Sequence, residues 1–247
     1  MAAGKVKNRI WPVDAARGLA VMLMILYHFC FDLNYFQLIH QDFNNSLFWL
    51  TARAVIVTTF LTLVGISLVL AETKNSRYFW IRIAKLLAAS VLVTAGSYWL
   101  FPRSFIFFGI LHFILAASLI GRFMLRYYWS NLLLGCAIVL LGILYANSWF
   151  DQPWLQWLGL MTYKPVTEDY VPIFPWLGVV LTGIFAAKVY RRAAPATTFP
   201  GSKKNTKKPA AVNPWFNLPI WLGRHSLAVY LLHQPLLLGA LALFVNH

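Results

Sequence analysis

Apolar residues run along this chain in long blocks, at 14–36, 48–71, 80–101, 105–122, 130–150, 173–190 and 218–244, separated by shorter polar or basic connections. A run of about 18 residues or more is long enough to cross a hydrocarbon core ~30 Å thick as an α-helix. The pattern predicts an all-α, polytopic membrane bundle of about seven transmembrane helices. The first block breaks the rule. VDAARGLAVMLMILYHFCFDLNYF (13–36) carries Asp14, Arg17, His28 and Asp32, and ionisable groups at membrane depth are costly.

Composition agrees with a membrane protein. The 247 residues are 60% hydrophobic and 11% charged, with mean hydropathy +0.65, and a soluble domain of this length needs far more polar surface. The formal charge of +14 would point to nucleic acid in a soluble chain. Here its distribution is topological. With Lys5, Lys7 and Arg9 in the cytoplasm, the inner connections hold Lys74, Arg77, Arg82 and Lys85, then Arg122 and Arg126, then a basic stretch from Lys188 to Lys208. The outer connections hold Arg103 and Lys164, with Arg53 near the outer end of the second helix. That asymmetry predicts N-in, C-out topology and excludes a nucleic-acid partner. Cys30 and Cys136 fall within apolar blocks, so no disulfide framework is expected. The N-terminal block lacks a small-residue cleavage site and is expected to remain as the first helix.

Two connections stand out. Residues 193–217 are basic and Pro-rich, which predicts a flexible cytoplasmic linker before the last helix. Residues 150–172 mix tryptophans with Asp151, Glu168 and Asp169, which suits a segment at the membrane interface. There is no internal repeat, and the whole of 1–247 is expected to form a single membrane domain.

On a helical wheel, Asp14, Arg17, His28 and Asp32 fall at about 0°, 300°, 320° and 0°, one stripe about 60° wide. Such a stripe must face other helices or a water-filled cavity, because lipid cannot satisfy it. Arg17 and His28 are roughly 16 Å apart along the axis, so the stripe links the cytoplasmic end to the outer half. Asp32, one turn beyond His28, is placed to accept a hydrogen bond from one imidazole nitrogen, leaving the other for proton transfer or nucleophilic attack. Asp14 can pair with Arg17, or Arg17 can offer its guanidinium to a phosphate or carbonyl oxygen. Knitting of helices by buried polar groups is the plainer alternative.

The last block carries RHSLAVYLLHQP, in which Ser226, Tyr230 and His233 share one helical face and can form a second polar wall or simple interhelical hydrogen bonds. Ser226 and His233 lie two turns apart, too far for a triad. His112 is a lone histidine among apolar residues, and Arg53 can pair with Asp32 or Asp169 or reach the interface. Glu168 and Asp169 can hold an acceptor or belong to an ordinary loop. Thr58, Thr62 and Gly65 share a face whose small residues suit tight helix packing. No Cys/His spacing suits a metal, and no nucleotide-binding motif is present.

These residues carry a resemblance. The first-helix sequence, followed in order by FLTLVGISL, FFGILHFI, DYVPIFPWLGVVLTG and LGRHSLAVYLLHQP, resembles bacterial membrane proteins related to the catalytic domain of heparan-alpha-glucosaminide N-acetyltransferase. The Arg17-x10-His28 spacing is also similar to the first-helix motif of the wider membrane acyltransferase superfamily. The resemblance implies transfer of an acyl group, usually acetyl, from cytoplasmic acetyl-CoA or another acyl-CoA to a saccharide or glycan acceptor on the outer side of the bacterial inner membrane. It implies donor contacts at Asp14 and Arg17, with Arg224 and His225 near the coenzyme A phosphates, and acceptor contacts at Arg53, His112, Asp169, Ser226, Tyr230 and His233. The human-type enzyme carries its proposed catalytic histidine in the loop after the first helix, which corresponds to His40 in LIHQDFNN, so His40 competes with His28. Asp32 gives His28 a mechanism and makes it the favoured base. Membrane lipid is the expected surrounding, no metal is expected, and a homo-oligomer is left open. A small-solute or proton-coupled transporter and a non-catalytic membrane subunit are the competing functions. The acyltransferase reading further expects the polar faces of the first and last helices to line a shared cavity.

Overall fold

The computed structural model describes residues 10–72, 75–193 and 213–245. The described residues form eight α-helices and no strand: α1 (Trp11–Tyr35), α2 (Leu47–Ala71), α3 (Ser76–Leu100), α4 (Ile110–Met124), α5 (Trp129–Leu144), α6 (Ile173–Ala193), α7 (Asn217–Arg224) and α8 (Ser226–Val245). Helices α1, α2, α3, α6 and α8 are long and apolar enough to cross a membrane, while α4 and α5, at 15 and 16 residues, are shorter apolar helices. The chain is an all-α helical membrane protein. Two compact units divide it: one takes 1–60 and 191–247, the other 61–190.

In the first unit, α1 starts with Pro12 in its first turn and Asp14 close behind, both suited to a helix N-terminus. Its leucines and aromatics Leu19, Leu23, Leu26 and Phe29 point outward, while Asp14, Ala15, Val21, Met24 and Asp32 are buried. The chain leaves α1 through Gln37, whose φ of 62° lies in the left-handed region. Tyr27 and Phe43 meet edge to face at 5.7 Å between ring centroids, and Phe43 stacks on Trp49 at 4.1 Å, which ties the α1–α2 connection to both helices.

The predicted last helix, 218–244, is two helices. The break falls at His225 (φ −108°, ψ 17°), whose Nδ1–H donates to the Trp221 carbonyl at 2.9 Å. The same carbonyl also accepts from His225 N at 3.1 Å, which closes the end of α7. α7 packs along α1 with no space for side chains between them: a methyl on Gly18 would collide with the Pro219 carbonyl, and one on Gly223 with the Asp14 carbonyl. The expected linker, 193–217, lies largely outside the described residues, as do Lys5, Lys7, Arg9 and Lys74.

In the second unit, α2 and α6 approach through Gly65, which faces the Val180 carbonyl, and Gly183, which faces that of Thr62. This is the close packing expected of small residues at that spacing. Around this seam Leu61, Phe113, Val180, Leu181 and Ile184 are buried at 2% exposure or less. Helix α4 is held at both ends by side chains from other elements. Asn131 Nδ2 donates to the Met124 and Tyr127 carbonyls, at 2.9 and 2.6 Å, and Lys188 Nζ donates to those of Leu125 and, at 2.7 Å, Tyr127. Lys188, grouped by sequence with the cytoplasmic basic stretch, is 6% exposed. The Met124, Leu125 and Tyr127 carbonyls at this helix end need donors, and an ammonium on a long stem reaches two of them.

The 145–172 connection contains two 3-10 turns, Ser148–Asp151 and Gln156–Leu158. Asp151 closes it by accepting from Thr162 N at 2.8 Å and from its hydroxyl, leaving Trp149 and Trp154 exposed.

Candidate functional site

The stripe on α1 is used over its full length by α7 and α8, all within one unit. At its start, Arg17 donates to Asp14 Oδ1 at 3.3 Å and to the Gly223 carbonyl at 3.5 Å. Arg224, at the end of α7, places Nε 3.5 Å from Asp14 Oδ2. Buried Asp14 therefore sits between two guanidiniums, and the Arg224 side chain remains 45% exposed. The arrangement leaves donor groups of Arg224 directed outward, where a phosphate or carbonyl oxygen can reach them. His225 is exposed, with its ring on Trp221 at 4.7 Å between centroids.

Further along α1, His28 meets His233 of α8. Their rings stack at 4.9 Å with 20° between planes, and His28 Nδ1 lies 2.7 Å from His233 Nε2. His233 Nδ1 in turn lies 2.7 Å from the Tyr230 carbonyl. These contacts fix the hydrogens. A carbonyl only accepts, so His233 Nδ1 carries a hydrogen, and neutral His233 has its lone pair on Nε2. The 2.7 Å contact then needs an N–H on His28 Nδ1, which leaves the His28 lone pair on Nε2. As whole residues, His28 is partly exposed and His233 is buried.

Two expectations change here. Asp32 does not take the His28 hydrogen: its Oδ1 accepts from Gln234 Nε2 at 2.7 Å, and His233 is the group that orients His28. The reason is reach across the interface. α8 brings two polar side chains in succession, His233 and Gln234, against two α1 residues one turn apart. At His28 and His233 the polar faces of α1 and α8, expected to line a shared cavity, meet in direct ring contact.

Several predicted residues belong elsewhere. His112 is part of the α4 cap: Gly109 N donates to its Nδ1 at 3.3 Å, its Nε2–H reaches the Thr94 hydroxyl at 3.1 Å, and that hydroxyl donates to the Ile106 carbonyl at 2.8 Å. Both ring nitrogens are committed to backbone order, so it is not free for an acceptor. Asp169 Oδ2 accepts from Ile110 N at 2.8 Å at the same helix start, where a carboxylate opposes the positive end of the helix dipole. Glu168 accepts from the Ser104 hydroxyl. His40 is exposed on the connection after α1, Ser226 opens α8, and Arg53 lies on α2, while Asp32, the partner proposed for it, is bonded to Gln234. Tyr230 takes part through its carbonyl, with its ring 5.6 Å from His233. In the connecting loop, burial holds the Tyr170 phenol well above its usual range, and its hydroxyl donates to the Gln156 carbonyl at 2.6 Å.

Gln234, Asn131 and Lys188 were not singled out by sequence. The signal for Gln234 was present, since an amide in mid-helix among leucines needs a partner, and it adjoins His233. No cluster of three or more His, Cys, Asp or Glu able to hold a metal occurs among the described residues.

The α1 stripe thus holds a bonded imidazole pair towards one end and, at its start, Asp14 between Arg17 of α1 and Arg224 of α7, within a helical membrane protein. The chain belongs to the heparan-alpha-glucosaminide N-acetyltransferase catalytic family, whose sequence profile matches residues 9–235. No curated protein and no solved structure matches it.

Proposed function

We propose that this chain is an acyl-CoA-dependent transferase of the bacterial inner membrane, moving an acetyl or related acyl group to an amine or hydroxyl of a saccharide-type acceptor on the outer face. The observation that carries this reading is the His28–His233 contact, because it leaves His28 Nε2 as a neutral base. His28 accepts the proton of the acceptor N–H or O–H as that atom attacks the thioester carbonyl. It then returns the proton to the departing thiolate, so each turnover leaves the ring neutral. His233 holds the Nδ1–H throughout and shares the charge while His28 is an imidazolium.

Acyl-CoA would supply the activated thioester. Arg17 and Arg224 are the residues suited to its phosphates. Arg17 is tied to Asp14 and to the Gly223 carbonyl and acts as a fixed local charge, whereas the exposed side of Arg224 is the contact. The positive-inside charge pattern sets this end of α1 toward the cytoplasm.

The test uses oriented vesicles with radiolabelled acetyl-CoA on the cytoplasmic side. Label is expected on an outer saccharide acceptor or on the protein, and His28→Ala, still folded by its melting curve, is expected to abolish it. Transfer that survives His28→Ala removes the assignment of the base. Solute uptake without transfer to any acceptor favours the transporter instead.

A further inference from the structure

Asp32 is an ionisable group that the mechanism above leaves unused, and it is 1% exposed. Its Oδ1 accepts from Gln234 Nε2 at 2.7 Å. Two buried oxygens of these side chains have no hydrogen-bond partner, Asp32 Oδ2 and Gln234 Oε1. As an ionised pair this is a poor arrangement. A carboxylate at membrane depth would have one amide hydrogen for compensation, and one acceptor oxygen on each side chain would be left without a donor. A carboxylic acid and a primary amide are complementary in a different way. The amide N–H serves one acid oxygen, and the acid O–H serves the amide oxygen, closing a planar eight-membered ring. One proton on Oδ2 gives both orphaned oxygens a partner.

We propose that Asp32 is held as a neutral carboxylic acid, its proton on Oδ2 shared with Gln234 Oε1, so that the acid–amide pair is a buried proton site one helical turn from His28. The ionisable side chains within two turns of it on α1 are Tyr27, His28, Cys30 and Tyr35, and those within two turns of Gln234 on α8 are Tyr230 and His233. The imidazole hydrogens of His28 and His233 are already assigned, to His233 Nε2 and to the Tyr230 carbonyl. Among the described residues no cation is paired with Asp32. Neutrality here has a consequence that rests on the acyl-transfer reading. An ionised carboxylate one turn away would favour the imidazolium form and fill the Nε2 lone pair before an acceptor arrives. A neutral acid leaves His28 free to act as base.

The test is infrared spectroscopy of the full chain in lipid nanodiscs at neutral pH, as the difference between wild type and Asp32→Asn. The expected result is loss of one protonated-carboxyl C=O band that shifts in heavy water, and Gln234→Leu should move that band to higher frequency. Loss of carboxylate bands instead overturns the proposal. Melting curves give a second, independent reading. Asn at 32 presents an N–H where the acid presents its O–H, so Asp32→Asn should melt at or above wild type while Asp32→Ala melts lower. Equal losses in the two variants overturn it as well. Neither measurement uses an acyl donor, so failure of the transferase reading and failure of the proton site are separately visible.

Discussion

Replacing His233 by leucine tests whether the site depends on a specified tautomer. The change removes the Nε2 acceptor 2.7 Å from His28 Nδ1 and leaves a volume of similar size filled. His28 Nδ1–H then lies against a leucine, and a buried donor without a partner costs about 1–3 kcal/mol. The ring escapes that cost by carrying its hydrogen on Nε2, which occupies the lone pair needed to take the acceptor proton. Since ~1.4 kcal/mol is a factor of ten, the competent tautomer falls roughly 10- to 100-fold in population, and kcat falls with it. KM for the acyl donor should hold, because Arg17 and Arg224 at the start of the stripe are untouched. Glutamine at 233 presents an amide oxygen near the lost Nε2 and should restore most of kcat. The assay is initial acetyl transfer in vesicles as a function of acetyl-CoA concentration, for wild type, His233→Leu and His233→Gln. A leucine variant with wild-type kcat, or a glutamine variant as impaired as the leucine one, refutes the orienting role.

Other outcomes follow from the packing. Gly223→Ala puts a methyl into the Asp14 carbonyl and should push α7 off α1, costing about 1–3 kcal/mol of stability; Gly239→Ala, where nothing lies within 4 Å of the added carbon, is the matched control and should melt no lower than wild type. Lys188→Met keeps the stem but strips donors from the Leu125 and Tyr127 carbonyls, and should lower stability by about 2 kcal/mol in a denaturant titration. His112→Leu should destabilise by about 1–3 kcal/mol through the Gly109 and Thr94 groups it strands, without changing KM for acetyl-CoA, which separates a helix cap from a substrate contact. Arg224→Ala should raise KM for acetyl-CoA several-fold with little change in kcat; a kcat loss at constant KM would contradict its placement on the donor.

The one-dimensional pattern settled much of this protein. Length and continuity of the apolar blocks determine helices because no other backbone arrangement satisfies its own hydrogen bonds in lipid except a closed barrel. The phase of Asp14, Arg17, His28 and Asp32 at 100° per residue determines that they share a face, and that face is turned to α7 and α8. Periodicity carries no information about which rung of one helix meets which rung of another. His28 pairs with a residue 205 positions away and Asp32 is bonded by one 202 positions away. A slide of one turn between α1 and α8 would exchange those partners with no change in either sequence pattern. Tertiary contact therefore gave His28 to His233 rather than to Asp32, turned His112 and Asp169 into the cap of α4, sent Lys188 inward to helix-end carbonyls, and split the last apolar block at His225. In each case a backbone or side-chain polar group needed a partner that its own helix could not supply, and only the packed structure decides which neighbour supplies it.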